Sequence, residues 1–461
     1  MIYLVFFFSV ISAVAMGYLA AAVSYNIVII LALAVTAGLI AFFSPRGSLV
    51  LLICSMLLSP ELGMGAVAGG RSAVLRYDDI LVVIMFFSWL ARSAIIKDKP
   101  FVTDTPVQTP ILIYISICVL STALGVLRGD VRFETASFYV LKYVEYFLIY
   151  FMTVNIVDSK EEVKKYLKYG LWVAIIVTFY AYYYYANAGA DARAGAPFEA
   201  PIGKPSESEP ASLGGYYLII FGLLLSLLAE LPDRRFFLIL GLFSFMFPAF
   251  LVTYSRASYM GFVAMTLAFF AILRKRRLLV LVFMGIAISG VSMDLFERAK
   301  NRITMTYEGE LATQKLSIIG RDINLEESAF QRYISLRTVL TEKLPKHPVL
   351  GWGVTGVGLG DNHYALVLGE TGLAGFFVFL WMLYRIYRAA LSVYKTHDDP
   401  WVRGLAFGLV LALIGLLTQC VGVNTFIIVR IMEPFWFLTA LVMALYKDMP
   451  NTAKTNPADQ P

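Results

Sequence analysis

Long apolar segments separated by short polar breaks are the feature that most limits what this chain can fold into. Runs of about 17–25 apolar residues recur along most of the sequence, and each can cross a bilayer as a helix. Within lipid every backbone N–H and C=O group must be paired inside the segment, which favours helices. Hydrophobic residues make up 59% of the 461 residues and charged residues only 15%. The pattern therefore predicts an all-α polytopic integral membrane protein.

The apolar runs define candidate membrane spans, and we predict 12–14 transmembrane helices. The third span is too short to cross upright, so it is expected to be re-entrant or to extend into its neighbour. The first has no basic n-region or clear cleavage site and is interpreted as a retained helix. The predicted spans are 3–22, 27–43, 47–59, 79–96, 110–127, 135–157, 165–187, 212–230, 235–254, 257–273, 278–294, 363–390, 402–422 and 427–446.

The distribution of Lys and Arg predicts the orientation of these spans. With the N-terminus inside, the inner loops and the tail hold 20 Lys and Arg residues, whereas the short outer loops hold 7. Cytoplasmic loops of membrane proteins carry such an excess. The bias also accounts for the net charge of +6 without a nucleic-acid partner. Both termini are therefore predicted to be cytoplasmic.

One outer segment is much longer than the others and divides the chain. Asn324, with Glu327 three residues later, resembles a capping box, and apolar residues then recur at helical spacing. This loop is predicted to contain amphipathic helices, and long ordered loops usually serve function. The predicted divisions are N-terminal helices (1–294), a large outer loop (295–362), C-terminal helices (363–447) and a disordered tail (448–461).

No spacing in the sequence is typical of a metal site or of a phosphate-cradling loop. Cys54, Cys118 and Cys420 fall inside apolar segments, where we expect small buried side chains without disulfide or metal roles. We therefore predict no metal and no cofactor.

A glycine-rich stretch precedes one of the apolar runs. Residues 351–360 contain five glycines, and Asp361, Asn362 and His363 follow at the start of the run. One interpretation is a helix start, with Asp361 or Asn362 as the N-cap. The other is a functional loop, because glycine lets a ligand approach the backbone closely and the loop would bring an imidazole to the membrane boundary.

Several arginines stand at or near the outer boundary. Arg256 lies between two apolar segments, where a charged side chain either faces a cavity or partner or extends to the headgroups. Arg321, Arg332 and Arg337 lie in the large loop and could form a solvated helix face. Guanidinium forks also bind phosphate through two oxygens. Arg256 below and Arg332 above would suit a diphosphate at the membrane surface.

Two pairs of opposite charge lie inside apolar segments. Lys142 and Glu145 are three residues apart, as are Arg430 and Glu433. At this spacing the two side chains of a helix can pair, so we interpret both as structural ion pairs. Support of a donor-binding site is the alternative for Lys142 and Glu145.

Three stretches together resemble the O-antigen ligase and O-antigen polymerase family of bacterial envelope glycosyltransferases. The likeness covers about residues 212–395, whereas the N-terminal helices match only as a hydropathy pattern. The stretches are TYSR at 253–256 before a helix, the large loop whose helix holds Arg332 and runs into PVLGWG at 348–353, and DNHY at 361–364 followed by ETGLAGF at 370–376.

The resemblance implies an enzyme that uses undecaprenyl-diphosphate-linked glycans at the periplasmic face of the bacterial inner membrane, without a metal or a nucleotide sugar. The family's catalytic residues correspond to Arg256, Arg332 and His363. Ligases often have His-Asn where this chain has Asn362-His363, so polymerase and ligase both stay open. The residues expected to bind substrate are Arg321, Arg337, Asn362, Tyr364, Glu370 and Gly353.

The implied reaction is an inverting glycosyl transfer. An acceptor hydroxyl attacks the anomeric carbon, arginines stabilise the departing lipid diphosphate, and a neutral histidine orients or deprotonates the hydroxyl. The acceptor is a glycan for an O-antigen or exopolysaccharide polymerase, the first interpretation, and lipid A–core for a ligase, the second. The bilayer and a chain-length regulator are the further expected partners. A lipid-linked oligosaccharide flippase or other transporter is the alternative of another class, although the internal repeats typical of transporters are not seen.

Overall fold

The computed structural model describes residues 25–67, 71–96, 103–187, 193–199, 209–231, 233–273, 293–304, 314–318, 321–358, 360–447 and 449. In this part of the chain helices dominate. A π-helical turn, Val339–Lys343, extends one of them, and a 3-10 turn, Thr425–Ile427, precedes the last. The helices are α1 (Tyr25–Phe43), α2 (Pro45–Leu58), α3 (Tyr77–Ile96), α4 (Gln108–Arg128), α5 (Phe133–Ile156), α6 (Lys160–Asn187), α7 (Pro210–Glu230), α8 (Asp233–Leu251), α9 (Arg256–Leu273), α10 (Met293–Thr304), α11 (Glu327–Thr338), α12 (His363–Thr396), α13 (Pro400–Gln419) and α14 (Val429–Lys447).

Six of the described helices, α4, α7, α9, α12, α13 and α14, are long and apolar enough to cross a membrane. The outer side of this bundle is apolar as well. On α4, for example, Leu112, Val119, Leu120 and Leu127 are exposed at helical spacing, as expected of a surface that contacts lipid. The prediction of a polytopic helical membrane protein is confirmed at this level. The predicted spans 3–22 and 278–294 lie outside the described residues, except for the start of α10, as does the 448–461 tail except Met449.

Helix α7 is the centre of the bundle. Neighbouring protein buries 94% of its most apolar window, and its closest neighbour is α13. A Cβ atom added at Gly222 of α7 would lie 2.8 Å from the backbone nitrogen of Ala412, and one added at Gly408 of α13 would lie 2.8 Å from the Cα atom of Leu223. Small residues let two membrane helices approach this closely and gain van der Waals contact.

Polar contacts at one end of the bundle join residues that the charge pattern assigns to the inner side. Arg46 pairs with Glu162, and Lys164 Nζ lies 2.5 Å from Asp399 Oδ2. Arg403 Nε lies 2.7 Å from Oε2 of Glu230. These contacts connect the ends of α2, α6, α7 and α13, so the predicted inner ends lie together.

The opposite end joins residues of the predicted outer loops and of the predicted outer ends of the spans. Arg128 Nη2 donates to the Gly351 carbonyl at 3.0 Å, and Arg193 Nε donates to the Thr253 carbonyl at 3.2 Å. The grouping of helix ends therefore matches the predicted alternation. The assignment of this end to the periplasm stays a prediction.

Two short antiparallel hairpins interrupt the helical pattern. Strand β1 (Glu61–Val67) pairs with β2 (Arg71–Arg76), and β3 (Gln314–Ile318) pairs with β4 (Arg321–Leu325). The sequence analysis did not predict either hairpin. The position of these segments between apolar runs predicts loops, but it does not predict that two stretches of the same loop form backbone hydrogen bonds with each other.

Hairpin β3–β4 also overturns a local prediction. Asn324 lies in β4 opposite Lys315, so it does not cap the following helix. The N-cap of α11 is Glu326, which makes no side-chain capping bond. The predicted capping box was wrong because strand pairing holds the backbone of Asn324 away from the helix start. A second prediction also fails, since Cys54 is exposed on α2, whereas Cys118 and Cys420 are buried as expected.

Single-cysteine labelling tests the orientation. In a background without the native cysteines, we expect Glu342→Cys to react with a membrane-impermeant maleimide in spheroplasts. Glu161→Cys should react only after permeabilisation. Both positions are exposed, so access to reagent depends on the side of the membrane. The reverse pattern would invert the predicted topology.

Candidate active site

Helix α12 is broken near its outer end. Gly372 has φ 65° and ψ −166°, so the helix consists of two pieces joined at this residue. A break leaves peptide groups without intrahelical partners, and a turn-containing segment of the large loop, residues 348–353, pairs with them. Leu373 N donates to the Pro348 carbonyl at 2.8 Å, and Ala374 N donates to the Val349 carbonyl at 3.1 Å.

The same segment pairs with the other side of the break. Trp352 N donates to the Gly369 carbonyl at 3.0 Å, and Gly353 N donates to the Glu370 carbonyl at 2.9 Å. The Glu370 carboxylate accepts a bond of 2.8 Å from Thr355 N. Gly353 and Glu370, expected from the resemblance to bind substrate, thus hold the loop against the broken helix. The PVLGWG and ETGLAGF stretches are in direct contact.

Helix α11 lies over the first turns of α12. Val339, Ala365 and Leu368 form a small buried cluster, with Leu336 and Leu344 packed against it. These residues come from α11, its π-helical extension and α12. Because the apolar face of α11 is held in this way, its polar side chains stand at the outer end of the bundle.

The structure brings Arg256 and Arg332 into one region. A Cβ atom added at Gly422, in the loop after α13, would lie 3.7 Å from Arg332 Nε and 3.1 Å from the Cβ atom of Ala257. Ala257 follows Arg256 at the start of α9. The end of α13, the start of α9 and one face of α11 therefore meet at Gly422, although the two arginines are far apart in the sequence.

Each of the two arginines has a carboxylate partner. Arg256 Nη1 contacts Glu326 Oε2, and Arg332 Nη2 lies 3.4 Å from Asp361 Oδ2. Desolvation and the nearby Arg256 lower the pKa of Arg332, whereas Asp361 and Glu326 raise it. The two guanidinium groups therefore lie close enough to influence each other, and two carboxylates balance their charge.

Glu326 and Asp361 are members of the site that sequence reasoning did not identify as partners of the arginines. Asp361 was considered only as a helix cap. The sole available signal was that an arginine at the membrane boundary needs a partner. No local spacing identifies that partner, because Glu326 is 70 residues from Arg256.

A cleft of about 480 Å³ opens beside Arg332. Asn424 Nδ2 donates to the Gly360 carbonyl at 2.9 Å and ties the glycine-rich loop to the loop after α13. The volume is within the range of small-molecule sites. The lining residues are Gln331, Arg332, Ile334, Ser335, Thr338, Val339, Lys343, Val357, Gly358, Gly360 and Asp361.

His363 does not face this cleft. It is 2% exposed, and its ring lies 5.5 Å from that of Phe379 and 5.4 Å from that of Phe426. Neither ring nitrogen has a hydrogen-bond partner. To reach a sugar hydroxyl, the ring would have to leave this aromatic contact. A catalytic role for His363 stays a prediction.

The remaining predicted residues have varied surroundings. Asn362 is the N-cap of α12, and its side chain accepts a bond of 3.1 Å from Ala365 N. The Tyr364 hydroxyl donates to the Leu417 carbonyl at 2.7 Å. Arg337 is exposed and about 140° around α11 from Arg332. Arg321 begins β4, and its side chain lies outside the described part of the structure.

One further acidic residue belongs to this region. Desolvation and the carboxylates of Glu199 and Asp361 raise the pKa of Glu209 above its ordinary value, although Glu209 is itself exposed. Glu209 stands immediately before α7 at the outer end of the bundle. Sequence reasoning had placed Glu209 only in an outer loop.

Comparison with known proteins does not assign the chain to a family. No protein-family model matches it, and no characterised protein is detectably similar in sequence.

The docking of the loop on α12 requires glycine at the break. A Cβ atom at Gly372 would lie 2.4 Å from the Val349 carbonyl oxygen, and the positive φ disfavours any other residue. We expect Gly372→Ala to lower the free energy of unfolding by about 2 kcal/mol or more. Thermal unfolding of the purified protein in detergent measures this change.

Gly358→Ala is the matched control in the same loop. No atom lies within 4 Å of its Cβ position, so the effect should stay within about 0.5 kcal/mol. Equal stability of Gly372→Ala and Gly358→Ala would contradict the structural role assigned to the break.

Proposed function

We propose that the protein is a glycosyltransferase that moves a glycan from a lipid diphosphate to an acceptor hydroxyl at the outer face of the bacterial inner membrane. Within this class, we propose an O-antigen or exopolysaccharide polymerase. The observation that carries the proposal is the convergence of Arg256 and Arg332 at one end of the bundle, where Arg332 lines a cleft.

The position and chemistry of the two arginines suit a lipid-linked diphosphate. A diphosphate on a prenyl chain lies where the headgroups begin, and these arginines stand at the end of the membrane helices. Arg256 and Arg332 side chains are 18% and 25% exposed. A partly desolvated guanidinium interacts more strongly with an anion than one in bulk water, and its planar fork matches two phosphate oxygens.

The carboxylates suggest how the site changes when the donor binds. A diphosphate would compete with Glu326 for Arg256 and with Asp361 for Arg332. Once displaced, these carboxylates lose their cationic partners and become better proton acceptors. Because a phosphate group takes the place of each carboxylate, the positive charges of Arg256 and Arg332 have anionic partners both in the free enzyme and in the donor complex.

In the proposed reaction, the acceptor oxygen forms a bond to the anomeric carbon while the bond from that carbon to the phosphate oxygen breaks. Undecaprenyl diphosphate leaves, and the two arginines stabilise its negative charge. The proton of the acceptor hydroxyl passes to a base. His363 is the base implied by the resemblance. A single displacement inverts the anomeric centre.

The acceptor distinguishes polymerase from ligase, because the donor chemistry is the same. Glycan analysis of a deletion strain tests the proposal. Loss of long chains with one repeat unit still attached to lipid A–core is expected for a polymerase, whereas an unsubstituted core would indicate a ligase. Unchanged glycans would contradict both.

Substitution of the arginines tests the diphosphate site. We expect Arg256→Lys and Arg332→Lys each to reduce transfer from a purified lipid-linked donor by about 10²-fold or more, because a point charge does not reproduce the bidentate fork. Arg337→Lys, on the same helix as Arg332 but facing away from it, should change the rate by less than about twofold. Near-normal transfer by Arg256→Lys would show that general attraction suffices.

His363→Phe separates a packing role from a catalytic one. The phenyl ring should fit between Phe379 and Phe426 and remove two buried unsatisfied nitrogens, so we expect a raised melting temperature. Loss of the base should nevertheless reduce single-turnover transfer by about 10²-fold or more at saturating donor. A stabilised variant with normal turnover would exclude His363 from the mechanism.

A further inference from the structure

Polar side chains that are buried in this bundle have specific partners. Lys142 Nζ lies 3.1 Å from Glu145 Oε2, so the predicted pairing of these two residues is present. Arg430 Nη1 donates to the Leu57 carbonyl at 3.0 Å, and its Nη2 donates to the Ser59 carbonyl at 3.4 Å, at the end of α2. Polar groups inside a membrane protein are costly and usually serve a specific purpose. A further buried group, made of uncharged side chains, lies next to the start of α9.

Gln419, the last residue of α13, is the centre of this group. It is fully buried, and both ends of its amide make hydrogen bonds. Nε2 donates to the Ala211 carbonyl at 3.0 Å and to Ser258 Oγ at 2.9 Å. Oε1 accepts a bond of 3.3 Å from Thr425 Oγ1. One amide therefore joins the start of α7, the start of α9 and the loop after α13.

The hydrogen bonds continue to the residue that precedes Arg256. Ser258 Oγ donates to Ser255 Oγ at 2.8 Å. Ser255 is 4% exposed and Ser258 is fully buried. In such a low-dielectric interior, successive hydrogen bonds strengthen one another. The amide of Gln419 is thus connected through Ser258 to the first turn of α9, which Arg256 begins.

Helix α7 packs closely against this group. A Cβ atom added at Gly214 would overlap Ser258 Oγ, and one added at Gly215 would lie 2.8 Å from Gln419 Oε1. Glycine at both positions lets the backbone of α7 approach the two polar side chains. This close contact limits the positions that the Gln419 amide can take.

The loop after α13 is also in contact with the second arginine of the site. A Cβ atom added at Gly422 would lie 3.7 Å from Arg332 Nε and 3.1 Å from the Cβ atom of Ala257. Gln419 therefore holds the first turn of α9 through Ser258, and it holds the loop beside Arg332 through Thr425.

We propose that Gln419 is a positioning residue for glycosyl transfer, whose buried amide fixes the start of α9, and with it Arg256, relative to the loop beside Arg332. The inference rests on the proposed function, in which both guanidinium groups bind one diphosphate. An apolar side chain at position 419 would leave Ser258 and the Ala211 carbonyl without their donor. A displacement of about 1 Å at a binding group can slow an enzyme by about 10²-fold.

Hydrogen exchange of the full-length protein in detergent measures this role without an activity assay. Gln419→Met removes the amide but keeps nearly the same volume. We expect the backbone amides of residues 256–262 and 420–425 to exchange at least about tenfold faster in this variant, because hydrogen bonds that hold these segments are lost. Exchange at the wild-type rate in both segments would overturn the proposal.

Asn155→Leu is the matched control, because it removes a buried amide at the opposite end of the bundle. Thr103 Oγ1 donates to Asn155 Oδ1 at 2.7 Å, and Asn155 Nδ2 donates to the Phe151 carbonyl at 2.8 Å. This variant should lower the melting temperature as Gln419→Met does, yet keep wild-type exchange at the start of α9 and transfer within about twofold. If it slowed transfer as much as Gln419→Met, reduced stability would explain both effects and the proposal would fail.

A double variant determines whether Gln419 acts through Arg256. With a purified lipid-linked donor at saturation, Gln419→Met should lower kcat by about tenfold or more. In the Arg256→Lys background it should lower kcat further by less than about threefold, because the fork that it positions is absent. Equal losses in both backgrounds would show that Gln419 acts independently of Arg256, which would overturn the inference.

The outcomes separate this inference from the proposed function. Normal transfer by Arg256→Lys would contradict the diphosphate site, whereas wild-type exchange and kcat in Gln419→Met would contradict only the role of Gln419. If Gln419→Met does not fold, Ser258→Ala replaces it, because it removes only the hydroxyl that joins Gln419 to Ser255. The same exchange and kcat results are then expected, and their absence would overturn the proposal.

Discussion

The outer end of the protein depends on the pairing between the broken helix α12 and the backbone of residues 348–353. Gly372 interrupts the helical hydrogen bonds, and Pro348, Val349, Trp352 and Gly353 supply the missing partners. In a membrane protein these peptide groups could not remain unpaired near lipid, so irregular backbone is stable only where other protein groups satisfy it. This pairing holds residues 348–353 against α12, so the glycine-rich loop that follows, up to Asp361, is anchored at its start by the pairing and at its end by α12 itself. Helix α11 packs on the first turns of α12.

Charge compensation is the second constraint, and it takes two forms. At the cleft, Arg256 and Arg332 are partly exposed and pair with Glu326 and Asp361, so an incoming anion can replace those carboxylates. In the interior, Lys142 and Glu145 are almost fully buried, and Lys142 Nζ lies 3.1 Å from Glu145 Oε2, so the two charges balance each other. The same electrostatic rule thus supports an exchangeable diphosphate site in one place and accounts for a buried ion pair in the other.

Sequence reasoning succeeded where local pattern controls the structure. The length of the apolar segments predicted the helices. The excess of Lys and Arg in alternate loops predicted which helix ends lie on the same side, and Lys164 and Asp399 from two such ends form an ion pair. It failed where backbone pairing across a loop decided the result. Asn324 is a residue type that often caps helices, but here it lies in strand β4. His363 follows a polar loop and was expected at the surface, yet the aromatic rings of Phe379 and Phe426 enclose it.

The sequence by itself determined a helical bundle with apolar surfaces, because hydrophobic segment length depends only on consecutive residues. It also identified Arg256 and Arg332 as unusual, since a charge at the membrane boundary is costly wherever the chain folds. Only the tertiary structure decided that Arg332 and the start of α9, which carries Arg256, meet at Gly422. It also decided that Glu326 and Asp361 are the partners of the two arginines. Contacts between residues 29 or 70 positions apart depend on how α9, α11 and α13 pack, and no local periodicity records that packing.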